Sequence, residues 1–290
     1  MSSPQRDEER RPAREAPASG VAPLIPAGLD AVIVLVRHGE TEFIAEGRFQ
    51  GQTETPLTPR GERQVRRAGL MLTNAHGDLR LPIPETAPFL IAHSPLSRTR
   101  RSAELIAGEF ARTGRAVPPL RPEPGLLEIA QGEWEGLTDT EISARFGDSL
   151  GTWRRWPERA HAPGGESLQE VRLRVEATLT GLLAEMAAGG KPGTLDRHQV
   201  LGYSENAVEE KRWALLVGHG GVFRVVVCAL LSLPLEHFWN FDFGLAAVSV
   251  IEIRAGRAVL RGLNFEAPSG EGDEGPSREH DAERNAKGAL

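Results

Sequence analysis

The stretch AVIVLVRHGET, Ala31–Thr41, decides the fold. It opens on a continuous apolar run, Ala31–Val36, that is mostly β-branched. Such a run reads as a strand buried on both faces, and strands of that kind sit in parallel sheets covered by helices. The run ends at Arg37-His38-Gly39. In an open parallel sheet, ligands bind beyond the carboxyl ends of the strands. A basic pair therefore emerges where a site is expected, and Gly39 would let backbone approach a ligand closely.

Working outward, the same arrangement recurs. Phe89–His93 (FLIAH) predicts a second buried strand. Ser94-Pro95-Leu96-Ser97-Arg98 follows it, with Ser97 as the cap of the next helix and Arg98 in that helix's first turn. Trp213–Gly218 (WALLVG) predicts a third strand, followed by His219-Gly220-Gly221 and a buried helix over 222–233 that Pro234 stops. Pro59–Ala75 carries Val65, Ala68, Met71 and Leu72 on one helical side. Thr138–Glu141 and Ser167–Glu170 are capping-box starts, the first of a short helix and the second of a long one. Ala246–Ile253 and Ala258–Leu263 flank Ala255-Gly256 as a hairpin. Strands alternating with helices imply an α/β fold with a mainly parallel central sheet and helices on both faces.

The chain has 290 residues, of which 40% are apolar, enough for a real core. One domain over 29–266 is expected. Residues 1–28 and 267–290 are rich in charge, Pro and Gly, and read as disordered tails. Residues 189–212 show no period, and read as a mobile surface insertion. The formal charge is −6, with 34 basic against 40 acidic side chains, so nucleic acid is not an expected partner. The N-terminus lacks the apolar centre of a secretory signal, and no window reaches the roughly 20 apolar residues of a membrane span. A cytoplasmic protein, monomer or homodimer, without membrane contact is expected. The single cysteine, Cys228, lies in an apolar run and reads as a core residue.

Three strand ends thus deliver Arg37, His38, Arg98 and His219. Taken singly, each could be a surface arginine or a satisfied core histidine. Taken together with the N–H donors of the helices that follow, they describe a pocket for a dianion such as a phosphoryl group. An acid is also needed. Leu127–Gly136 (LEIAQGEWEG) offers Glu128 between apolar neighbours, where burial favours the neutral acid. Glu133 and Glu135 are alternatives in more polar settings. Arg48 and Gln50 in Gly47–Gly51 (GRFQG) are further substrate contacts, as is Gly220. Trp153, Trp156, Arg154, Arg155 and Arg159 lie in a segment, 146–166, that either walls the pocket or forms a surface helix with a buried tryptophan face. No HExxH pattern or carboxylate–histidine cluster suggests a metal, and no cofactor is expected.

The motifs VRHGET, GRFQGQTETPLTPRG (Gly47–Gly61), SPLSRTRRSAE (Ser94–Glu104), LLEIAQGEWEG (Leu126–Gly136), PGGES (Pro163–Ser167) and VGHGG (Val217–Gly221) occur in one order. In that order the chain resembles the histidine phosphatase superfamily, the phosphoglycerate mutase-like group, over about residues 31–265. The resemblance implies that His38 becomes phosphorylated and that Arg37, Arg98 and His219 hold the phosphoryl oxygens. It also implies that Glu128 protonates the leaving oxygen and then assists water. A small-molecule phosphomonoester is the implied substrate. LLEIAQGEWEG is closer to the phosphatase branch than to the mutases; a mutase, or a weakly active regulatory member, is the rival reading. One position departs from the family pattern. An asparagine that helps hold the phosphate commonly stands six residues after the catalytic histidine, and here that residue is Ile44. Reduced but real turnover is expected.

Overall fold

A computed structural model describes residues 23–77, 80–189 and 211–267. Six strands form one sheet: β1 (Ala31–Arg37), β2 (Leu90–His93), β3 (Leu120–Pro122), β4 (Arg212–Gly218), β5 (Val248–Arg254) and β6 (Arg257–Phe265). Their order is β3-β2-β4-β1-β5-β6. The first four in that order run parallel, and β5 and β6 add an antiparallel hairpin at the edge. The hairpin turns at Ala255 and Gly256, both at positive φ, as a two-residue turn of this type requires.

Among the described residues the α-helices are α1 (Glu42–Ala45), α2 (Pro59–Thr73), α3 (Ser97–Arg112), α4 (Asp139–Arg155), α5 (Leu168–Gly189) and α6 (Gly220–Leu230). The pleat of β1 divides them. Ala31, Ile33 and Leu35 point into a core shared with α5 and α6, whereas Val32, Val34 and Val36 point into a second core shared with α2 and α3. Every residue of β1 is buried. At about 1.5–3 kcal/mol for each fully buried large aliphatic side chain, this strand anchors both layers. The expected fold class is borne out.

Several boundaries differ from expectation. Leu24 and Ile25, assigned to the N-terminal tail, pack against the first core. Ala267, assigned to the C-terminal tail, packs against the second. The helix opened by the Thr138 capping box is short, as expected: the backbone leaves helical geometry at Phe146, and a second helical stretch then runs on to Arg155. Ser97 does not cap α3. Leu96 occupies the cap position without a side-chain bond, and the Ser97 N–H and hydroxyl donate to the Glu54 carboxylate. Cys228 is buried as expected, and burial pushes its thiol up to about 11. Most of the expected insertion and of both tails lies outside the described residues. Among the described residues no helix is long and apolar enough to cross a membrane.

Candidate active site

Parallel pairing brings three strand ends level. Arg37 pairs with Gly218, and His93 with Val217. The ladder extends one step further on each side: the His38 N–H donates to the Gly218 carbonyl at 3.0 Å, and the Ser94 N–H to the Val217 carbonyl at 3.1 Å. His38, Ser94 and His219 therefore lie side by side at the carboxyl edge of the sheet. The rings of His38 and His219 meet edge to face with centroids 5.2 Å apart.

His38 Nδ1 lies 2.7 Å from the Gly39 carbonyl. A carbonyl only accepts, so Nδ1 carries the proton and Nε2 is left with its lone pair. Burial pushes the pKa of His38 well below the ordinary value of 6.5, with Arg98 and Arg37 pushing the same way and the Gly39 carbonyl opposing. The ring is therefore neutral at neutral pH, with the Nε2 lone pair free of a proton. His219 Nδ1 accepts from Arg98 Nε at 3.3 Å, which places its proton on Nε2, 2.9 Å from Ser94 Oγ. Burial is again the first cause that keeps His219 neutral, followed by Arg98, His38 and Arg37.

Arg98 is fully buried. Its Nη1 donates to the Thr53 carbonyl at 2.9 Å and its Nη2 to the Gly51 carbonyl at 2.6 Å. Burial lowers its pKa to about 10, against the pull of Glu128, Glu54 and Glu135. It stays charged at neutral pH. Arg37 donates from Nη1 to the Phe243 carbonyl at 2.6 Å, while its buried Nε has no acceptor among the described residues. Gly220 opens α6 against Arg37; a Cβ there would lie 3.4 Å from Arg37 Cζ.

Glu128 joins this cluster, but its setting corrects the expectation of an apolar one. Its Oε1 accepts from the N–H groups of Ile129 and Val222, both at 2.9 Å, and its Oε2 from that of Gly221 at 3.1 Å. The last two belong to the first turn of α6, where a helix N-terminus favours an acceptor. Gln50 is buried beside Thr41 and Thr55, whose hydroxyls both donate to its Oε1 at 2.7 Å. That fixes the amide, and its NH2 has no acceptor among the described residues. Arg48 is engaged elsewhere: it donates to Glu46 at 2.7 Å and to the Gly136 carbonyl at 2.8 Å. Trp153 is core, packed on Phe238 and Trp239, whereas Trp156 is exposed between Arg155 and Arg159. Gly39 packs on the backbone of Gly61, where a Cβ would meet the Gly61 carbonyl oxygen at 2.3 Å.

A family model described as "Histidine phosphatase superfamily (branch 1)" matches residues 33–190 and 197–266. The chain belongs to that superfamily. "Phosphoserine phosphatase 1" of Hydrogenobacter thermophilus is 29% identical over 82% of this chain and 94% of its own length. "Probable phosphoglycerate mutase GpmB" of Salmonella paratyphi C is 33% identical over 70% of this chain and 75% of its own length. Among solved structures, that of "mycobacterial glucosyl-3-phosphoglycerate phosphatase Rv2419c", in complex with VO3, superposes with a TM-score of 0.60. It is 27% identical and covers 81% of this chain and 98% of that one. The expected family is borne out, and these relatives bear out the expectation of a phosphoric monoester hydrolase.

Two parts of this histidine phosphatase's site, Ser94 and Arg174, were not expected from the sequence, and a third, Glu135, was expected only as an alternative acid. Ser94 contacts His219, and its place at a strand end was the available signal. Arg174, on α5, donates to the carbonyls of Gly125, Leu127 and Glu128 and pairs with Glu166. Glu135 accepts from the Gln52 N–H and the Thr53 hydroxyl. Neither could be found from spacing, because each acts on backbone far away in the chain. Among the described residues no group of three or more His, Cys, Asp or Glu could hold a metal.

Proposed function

We propose that this chain hydrolyses small-molecule phosphomonoesters through a phosphohistidine on His38, with no metal ion. The carrying observation is the convergence at His38 of a free imidazole lone pair with two buried arginines and a second neutral imidazole. In the first step, His38 Nε2 attacks phosphorus, an N–P bond forms and the P–O bond to the leaving group breaks. Glu128 gives that oxygen a proton. Its Oε2, with one N–H donor against two at Oε1, is the oxygen with room for the proton. In the second step, water attacks phosphorus, Glu128 takes a proton from it, and the N–P bond breaks to return neutral His38 and inorganic phosphate.

Arg98 and the Nε of Arg37 face charge that spreads over the equatorial oxygens during transfer, where preorganised cationic donors act most strongly. His219 stands beside them through Arg98, and the Gly220 and Gly221 backbone leaves room for an oxygen. The Gln50 NH2 is the donor best placed to serve in the absence of an amide at Ile44. A cytoplasmic location fits a substrate of this class.

A panel of phosphomonoesters, run on wild type and His38→Ala with and without a chelator, tests the reading. Phosphate release from wild type, unaffected by chelator and lost in His38→Ala, is expected. Release that collapses with chelator, or that survives in His38→Ala, would count against it. The mutase reading, which the Salmonella relative's name favours, predicts interconversion of phosphoglycerates without phosphate release in the same panel.

A further inference from the structure

Arg98 reaches the site from α3, yet its position depends on a loop it does not belong to. The guanidinium is held by two carbonyls, those of Gly51 and Thr53. The loop that carries them is held from behind by Glu135 at two points. The Gln52 N–H donates to Glu135 Oε1 at 3.0 Å. This N–H belongs to the same planar, trans peptide as the Gly51 C=O, so the two groups point in opposite directions. With the N–H fixed on Glu135, the carbonyl can only face Arg98. Thr53, whose carbonyl is the second acceptor, donates its hydroxyl to Glu135 Oε2 at 2.5 Å. The Gln131 N–H, at 2.9 Å, ties the same carboxylate to the Glu128 segment. Gly51 has φ +54, and a Cβ there would lie 2.1 Å from Glu135 Oε1, so this residue has to be glycine for the carboxylate to reach the loop.

We propose that Glu135 is a positioning residue that fixes the Arg98 guanidinium for phosphoryl binding by clamping the Gly51–Gln52 peptide and the Thr53 side chain. The proposal rests on the reading of Arg98 as a phosphoryl-binding group. A loosened loop would still fold, but its carbonyls would be free to rotate and Arg98 would sample several poses. Loss of alignment of this kind costs about 10- to 100-fold in rate.

The test is a double-mutant cycle on the full chain, with p-nitrophenyl phosphate as substrate and inorganic phosphate as competitive inhibitor. Glu135→Ala should lower kcat/KM about 10- to 100-fold. It should weaken phosphate inhibition about 10-fold. Glu135→Gln keeps an oxygen for the two backbone donors, and Thr53 can turn its hydroxyl, so it should stay within about threefold of wild type. In an Arg98→Ala background, Glu135→Ala should add less than about twofold. Should Glu135→Ala fail to fold, Thr53→Val removes one donor and should reproduce a smaller loss of phosphate inhibition.

The proposal is overturned if Glu135→Ala or Thr53→Val lowers only the melting temperature and leaves phosphate inhibition intact. It is equally overturned if the Glu135 and Arg98 losses multiply, or if Glu135→Gln fares as badly as Glu135→Ala. Arg98→Ala with unchanged phosphate inhibition would sink the functional reading itself, whereas a weakened Arg98→Ala beside an unaffected Glu135→Ala would sink only the positioning role.

Discussion

Replacing Ile44 with asparagine should raise activity and lower stability together. Ile44 is buried, 6% exposed, yet belongs to neither of the two main cores. It sits on α1, six residues after His38, with its N–H bonded to Thr41 Oγ1. An asparagine there removes apolar burial worth about 1.5–3 kcal/mol. At about 2–4 °C per kcal/mol for a domain of this size, the melting temperature should fall by several degrees. In return the amide offers one donor to a charged phosphoryl oxygen, worth about 1.5–3 kcal/mol. Realised in the transition state, that is about 10-fold or more in kcat/KM. The assay is kcat/KM on the best phosphomonoester of the panel, alongside a thermal melt. A folded Ile44→Asn enzyme with unchanged kcat/KM would refute the idea that a missing amide limits turnover, and would leave Gln50 as a sufficient donor.

Two further outcomes follow from the same geometry. Glu128→Gln should lower kcat about 10²- to 10⁴-fold on alkyl phosphates and much less on p-nitrophenyl phosphate, whose leaving group needs no proton; an equal loss on both would remove Glu128 from the acid role. The buried histidines also set a pH dependence of stability. Both native pKa values lie well below the unfolded value of 6.5, so between those limits the unfolded chain binds more protons and stability rises with pH. Acidification below 6.5 should therefore destabilise the fold with a contribution of at most about 2.7 kcal/mol per pH unit from the pair. His219→Asn should remove about half of that slope; denaturant titrations that show the same slope in both proteins would contradict it.

Much of this architecture was legible because burial on two faces leaves a strong mark. Ala31–Val36 and Trp213–Gly218 are uninterrupted apolar runs, and the structure places both in the centre of the sheet. The edge strand β3 carries no such mark: it has three residues, two of them exposed, and was not anticipated. The second helical stretch of α4, beyond the break at Phe146, was hidden by its glycines and its weak apolar stripe. At the site, residues at strand ends could be read because strand polarity alone places them. What could not be read were partners set by backbone direction. Ser97 looks like a helix cap, but a carboxylate 43 positions upstream took its N–H. Glu128 looks apolar from its neighbours, but α6 turns two N–H groups toward it and Ile129 adds a third. Glu135 looks like a spare acid, and only the loop path shows what it holds.

The most direct test is to trap the covalent intermediate. Rapid denaturing quench of wild type during turnover of a radiolabelled phosphomonoester should leave acid-labile, base-stable label on the peptide that contains His38, and none in His38→Ala. Label on another residue, or steady turnover by His38→Ala at the wild-type rate, would contradict a mechanism built on that imidazole.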